Sequence, residues 1–492
     1  MSRGRRIAII VACIVAGFII ACVVVAPRYF KIDRYRPYII SVIEQRTGRQ
    51  VTIGRIGLAV FPVVAITADD FAIANPRGFP AGNWITVKRI RARPDLGALW
   101  HHRIVIRSLS LSRPVLNLLS DARGRWNYEL TPPHSARNDP PGDPASASAA
   151  RQGSAFTLEE ISDLSLKDGS VSMASLSAGG AASPPMIAAE GVSSDLKNIN
   201  LAAFAAPHSP QAGLANATGT LHLSALGAAN LRLTHVTASV QATPQQVQLR
   251  SLKFDFYDGH GQADVRLHLA TPVLQYNVQG GLDGVNAQEL LSQFPQARGQ
   301  LTGTIESRFN FSGAATSSPD PWAGKQGQGT LIVRKGRLPK LHLDQALLEL
   351  THLAELGPRS GSLSTFSLIS FDWQLERGIV KTPKVRILGN GISVTGSGTL
   401  DLAAPGRLSY VATAEIAAKQ NPLTNLLAGF SGATFANGKL SLPFVLGGTL
   451  DRPLFRLNTG ALLGQATRQP AAKVPPAPQL LQNLFHALRR KK

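Results

Sequence analysis

Few residues in this chain stand where acid, base or metal chemistry could use them. Asp69 and Asp70 put two carboxylates side by side, the material of a general acid and base. Adjacent strand residues point to opposite faces, so the pair reads as a solvated turn instead. His101 and His102 are a candidate pair of metal ligands, and the same alternation makes them poor chelators. Gly324-Lys325 is followed by Gln326 and lacks the upstream glycine of a phosphate-binding loop. Gly396 and Gly398 fit a strand whose backbone is closely approached or bent. No G-x-S-x-G nucleophile turn and no H-E-x-x-H motif occurs. Cys13 and Cys22, the two cysteines, both lie in an apolar N-terminal stretch, which leaves no disulfide framework and no thiolate metal site. The expectation is a protein without catalytic residues, metal ligands or cofactor, and not an enzyme.

The apolar stretch covers residues 7–26, an uncharged run of 20. At ~1.5 Å per residue it spans roughly 30 Å, the hydrocarbon thickness of a bilayer. Ile7, Val11, Ile14, Phe18, Ile20 and Val24 are the expected anchor residues. Arg3, Arg5 and Arg6 precede the run and favour an inside N-terminus, with the bulk of the chain translocated. A cleavable leader has a shorter apolar core of about 7–15 residues. Residues 19–22 loosely resemble a lipoprotein cleavage site, but Val23, Val24 and Val25 continue the run beyond Cys22.

The charge balance is 51 Lys and Arg against 30 Asp and Glu, a net +21 over 492 residues. Such an excess suggests a polyanionic partner. Residues 1–130 hold 20 basic and 7 acidic residues, next to the anchor. No zinc-finger spacing, RNP motif or helix-turn-helix pattern is present, so a membrane surface is favoured and no nucleic acid is expected.

Residues 33–47 read as an amphipathic helix with Tyr35, Tyr38, Ile39, Val42 and Ile43 on one face, closed by Gly48. The period then changes to two. Val51/Ile53, Ile104/Ile106, Leu109/Leu111 and Leu116/Leu118 alternate with polar or small residues, as in half-buried strands. Leu164/Leu166 and Val171/Met173 flank Asp168-Gly169, a hairpin signature, and similar signals stand at Asp258-Gly259 and Arg377-Gly378. Short helices are expected at 286–294, capped by Asn286, and at 343–356 and 421–430. So few helices cannot cover both faces of so many strands, which makes the sheet antiparallel with one apolar and one polar face. About 20 strands at ~4.8 Å would span on the order of 100 Å. That apolar face must meet a second sheet or an apolar ligand. Periodicity alone does not separate a sandwich from a groove and leans slightly to the sandwich.

Residues 131–154, rich in Pro, Ala and Ser, form a linker. The resulting division is an anchor with a short basic cytoplasmic N-terminus (1–26), a helix plus strands (27–130), the linker (131–154), a repetitive β domain (155–470) and a basic amphipathic tail (471–492).

The stretches RYFKIDRYRPYIISVIEQRTGRQVTIG, IRSLSLSRPVLNLLSDARGRWNYEL (with Gly124 and Asn127), LKFDFYDGHGQADVRLHL, FDWQLERGIVKTPKVRILGNGISVTGSGTLDL and GGTLDRPLF follow one another between residues 28 and 455. In that order they resemble the AsmA family of Gram-negative bacteria. The resemblance implies a mainly β fold: a long curved antiparallel β-sheet groove with a few short helices and one N-terminal transmembrane helix, related to the chorein-type bridge lipid carriers. It implies a single-pass inner-membrane protein, mostly periplasmic, that binds or transfers lipid for outer-membrane lipid homeostasis and assembly. The expected partners are phospholipid or another acyl-chain lipid, the inner membrane and outer-membrane assembly proteins. The alternative is an envelope scaffold that tethers such assembly factors and carries no lipid. If a lipid path exists, Leu252, Phe254, Phe256, Val265, Leu267, Leu269, Phe309, Phe311, Phe371, Trp373, Val385 and Ile387 are its candidate lining.

Overall fold

Alternation at period two becomes strand almost throughout. The computed structural model describes residues 32–59, 63–95, 97–98, 104–129, 158–177, 179–200, 216–269, 273–295, 297–314, 320, 322–339, 365–402, 406–417, 434–450 and 452–458. The expected anchor, the linker, the helices at 343–356 and 421–430, the tail, and His101 and His102 lie outside these residues. Among the described residues no helix is long and apolar enough to cross a membrane.

The chain divides into two units, residues 1–294 with 305–329 and residues 295–304 with 330–492. The first opens with a 3-10 turn, Ile32–Tyr35, and α1 (Arg36–Thr47). Its strands are β1 (Val51–Thr52), β2 (Arg55–Ala59), β3 (Ala65–Ala74), β4 (Asn83–Pro94), β5 (Ile104–Ser120) and β6 (Leu158–Ser175). There follow β7 (Ile187–Asn200), β8 (Ala217–Ala228), β9 (Leu231–Ala242), β10 (Gln246–Phe256), β11 (Gly259–His268) and β12 (Gln275–Asn286), then α2 (Ala287–Ser292). β13 (Thr302–Ala314) and β14 (Gln326–Arg337) come next in the chain. The second unit continues with β15 (Thr365–Glu376), β16 (Ile379–Gly389), β17 (Ile392–Asp401), β18 (Leu408–Ala417), β19 (Thr434–Ala436), β20 (Lys439–Gly448) and β21 (Pro453–Leu457).

α1 ends at Gly48, whose φ of 66° lets its N–H donate to the Glu44 carbonyl. Ile39, Ile40 and Ile43 pack on Val51, Ile53, Ile56 and Ile73. The apolar face is therefore rotated from the expected one: Tyr35 and Tyr38 are 55% and 69% exposed. Isoleucines fill the contact with the strands and leave the tyrosine hydroxyls in water. At α2 the Asn286 side chain accepts from the Gln288 and Glu289 N–H groups, as its spacing predicts.

From β3 to β12 each strand pairs with the next. All these pairs are antiparallel except β5–β6, which is parallel. The expectation of a wholly antiparallel sheet is thus corrected: Leu158, at the start of β6, lies opposite Ile104, at the start of β5. The expected hairpin at Asp168-Gly169 does not exist; β6 runs straight through it. Asp168 has φ 54°, and Gly169 is packed so closely that a Cβ there would lie 2.9 Å from Pro114 Cγ of β5. An Asp-Gly step supplies left-handed backbone to a bulge as readily as to a turn.

That bulge belongs to a seam. Asp70 on β3, Arg113 on β5, Asp168 on β6, His235 on β9 and Ser251 on β10 all have φ between 47° and 54°, and Gly191 on β7 has 62°. Register shifts accompany the seam on several strand pairs. Bulges in line add twist and bend each strand at the same level. Asp69 and Asp70 are consequently strand residues at a bulge and not the expected turn. Genuine hairpins occur at Tyr257–Asp258 (φ 45° and 64°), one residue earlier than the sequence signal, and at Arg377–Gly378 (48° and 79°).

In the second unit β15, β16, β17, β18, β20 and β21 pair in succession, all antiparallel, with β19 also on β20. Val394, Ala414, Leu442 and Phe444 form a buried core there. Gly396 and Gly398 stand in β17, where an added Cβ would strike Ala412 and the Tyr410 ring, as close approach predicts.

Candidate functional site

The register of the first unit assembles one continuous apolar row. Ala92 of β4 faces Leu109 of β5, which faces Leu164 of β6, then Leu196 of β7 and Gly219 of β8. Gly219 faces Val240 of β9, followed by Leu249 of β10, Val265 of β11 and Val278 of β12. No charged residue interrupts these nine strands. Every member is partly exposed, neither sealed nor free in water. Eight gaps of ~4.8 Å give the row a width of roughly 38 Å. Half of a ~30 Å bilayer core is about 15 Å, so an acyl chain from one leaflet fits along it. A parallel row one step along holds Leu111, Leu166, Ser194 and Leu221. Ser194 is buried, and its hydroxyl donates to the Thr220 carbonyl at 2.8 Å, so no free polar group is left in it. Such a surface holds hydrocarbon without directional contacts, at about 0.8 kcal/mol per buried methylene.

α1 closes this face at its first strands, where Phe71, Trp84 and Ile85 join the helix-packed cluster. Arg49, just past the helix, is 6% exposed. Its Nη2 donates to the Glu129 carbonyl at 2.6 Å, and its guanidinium lies 5.5 Å from the Trp84 ring centre. Burial lowers its pKa.

The candidate lining residues fall into three environments. Val265 belongs to the row and Leu267 lies beside it, both half-buried. Leu252, Phe254 and Phe256 are at most 9% exposed and act as packed wall. Phe254 lies flat on Gly261 across the strand pair, where a Cβ would come within 2.1 Å of the ring. Tyr276 on Gly313, Phe311 on Gly327, Phe366 on Gly336 and Tyr410 on Gly398 repeat this close fit. Leu269, 45% exposed, lies beyond the end of β11. Phe309 and Phe311 are half-buried with ring centres 5.6 Å apart. Phe371, Trp373, Val385 and Ile387 are half-buried in the second unit, with Phe371 opposite Val385 and Ile387 opposite Ile369.

Two features escape sequence reasoning. Asn127 is fully buried: its Nδ2 donates to Asn75 Oδ1 (2.9 Å) and the Asn117 carbonyl (2.7 Å), and its Oδ1 accepts from Leu119 N–H (2.9 Å). It pins loop 121–129 to β5. On the polar face Asp255 accepts from His235 Nδ1 at 2.8 Å and His260 Nδ1 at 2.9 Å.

The bonds from His235 and then His260 hold the Asp255 carboxyl below its ordinary 3.8. A carboxyl with a depressed folded pKa stabilises fully above its unfolded pKa and loses that contribution as pH falls through the folded value. Asp255→Asn should therefore lower Tm modestly at neutral pH, and the gap should close below about pH 3.8. A pH-independent gap in thermal scans would contradict this. Among the described residues no group of three or more His, Cys, Asp or Glu is placed to hold a metal ion.

Residues 1–180 match the model of the AsmA family. No curated protein and no solved structure matches the chain.

Proposed function

We propose, from the match of residues 1–180 to the model of the AsmA family, that the chain is an inner-membrane-anchored, mainly periplasmic protein that binds and passes phospholipid. Its role is then in outer-membrane lipid homeostasis and assembly, with no catalytic step, no cofactor and no nucleic acid. Residues 7–26 serve as the single anchor. Hydrocarbon lies along the groove formed by the strands' apolar face. The observation that carries this reading is the nine-strand row from Ala92 to Val278, charge-free and half-buried in every member. An incompletely covered apolar face of that extent supports a binding role. The matching row of the second unit includes the buried Val394, Ala414 and Leu442, so loading is assigned to the first unit.

Native mass spectrometry of the full chain, released from detergent, should show phospholipid bound. A photo-crosslinking residue at Leu249 should form a lipid adduct, and one at Lys253, exposed on the other face, should not. Protein that is consistently empty, or equal adducts at both positions, would overturn the proposal.

A further inference from the structure

β4 carries Lys88, Arg89, Arg91 and Arg93 within six residues. Ile90 and Ala92 point to the apolar face, so Arg89, Arg91 and Arg93 stand on the polar one. Their cross-strand neighbours are Asp69 and Thr67 on β3 and three serines, Ser108, Ser110 and Ser112, on β5. Asp69 is shared by Arg89 at 2.7 Å and Arg55 at 3.5 Å, and Asp70 is held by Lys88 at 2.6 Å. Arg91 and Arg113 have no ion-pair partner among the described residues, and both are exposed. The patch therefore keeps net positive charge after its acids are used.

At the bulge seam this patch opens into a cleft of about 390 Å³, with Lys88 and Arg113 among its lining. Its other walls include Ala72, Val87 and Val115, so charge borders a largely apolar surface. That combination fits the boundary of a membrane, where phosphates lie just above hydrocarbon. It does not fit nucleic acid, which strands of this kind bind with exposed stacking aromatics; Phe71, which lines the cleft, is half-buried and packs against the helix-packed cluster, as does Trp84.

We propose that the polar face of β3, β4 and β5 is a docking surface for an anionic phospholipid bilayer, with Lys88, Arg91 and Arg113 meeting lipid phosphates and the cleft admitting the upper part of one lipid. This surface lies opposite the apolar row, and the proposal stands whether or not lipid is carried there.

The test uses the full chain reconstituted in phosphatidylcholine vesicles and fluorescent target vesicles with or without phosphatidylglycerol. Only targets containing phosphatidylglycerol should be captured, and capture should fade as salt shortens the screening length. Each basic residue near an anionic leaflet strengthens binding about fivefold, so Arg91→Gln with Arg113→Gln should weaken capture about 30-fold. Arg266→Gln with Arg386→Gln removes equal charge from other polar-face positions and should change little. Equal weakening by both pairs would reduce the effect to overall charge and overturn the proposal. So would wild-type capture that survives high salt. Displacement of vesicles by duplex DNA at equal phosphate concentration would reassign the patch to nucleic acid.

Discussion

Leu249→Asp should empty the protein of phospholipid while leaving it folded. Leu249 sits mid-row between Val240 and Val265 and is only half-buried, so a carboxylate there keeps access to water in the empty protein. With an acyl chain laid over it, that carboxylate would lose its water. An unpaired buried charge costs several kcal/mol. Lipid occupancy should then fall by about 100-fold or more, since each 1.4 kcal/mol is tenfold. Leu249→Met should load normally, and Lys253→Asp, on the other face, should match it. A Leu249→Asp protein carrying wild-type amounts of lipid would end the assignment of the row as the path. Phe254 is a poor place for this test. It is 9% exposed with its ring on Gly261, so a charge there would unfold the sheet and empty it for a trivial reason.

The largest loss of stability is expected from Asn127→Ala. The substitution strands the Leu119 N–H, Asn75 Oδ1 and the Asn117 carbonyl together. At about 1–3 kcal/mol for each unsatisfied buried group, the sum is about 4 kcal/mol with partial relaxation. For a unit of this size that corresponds to a fall in Tm on the order of 10 °C. Thermal scans should show it, and limited proteolysis should cut first within 121–129. A loss of only a degree or two would mean the loop is held by something else.

Sequence pattern makes the strands, the Arg377–Gly378 hairpin and the Asn286 cap legible, because each depends on residues close along the chain. The parallel β5–β6 pair is not legible. Asp168-Gly169 reads as a turn because turns and bulges draw on the same left-handed backbone, and the packing of Gly169 on Pro114 of the neighbouring strand leaves no local trace. The site is legible only as a face. Leu249 and Phe254, five residues apart, read as opposite faces in the alternation, and the bulge at Ser251 brings them to the same one. One is half-buried and the other packed, because the first meets Val240 and Val265 and the second lies on Gly261. Contacts made through distant register leave no periodic trace. Nor does alternation reveal that the face is uncovered, since a sandwich strand alternates in the same way.

The succession of strands from β3 to β12, each bonded to the next, gives the molecule a modular economy. From β7 to β12 successive strands pair as antiparallel neighbours, and inserting or deleting a hairpin shifts the ladder by two rungs, about 10 Å, with new pairing needed only at the junction. The width of the first unit's sheet is then a quantity that duplication of a short gene segment can adjust, and wider and narrower versions of this architecture are accessible without redesign of a common core.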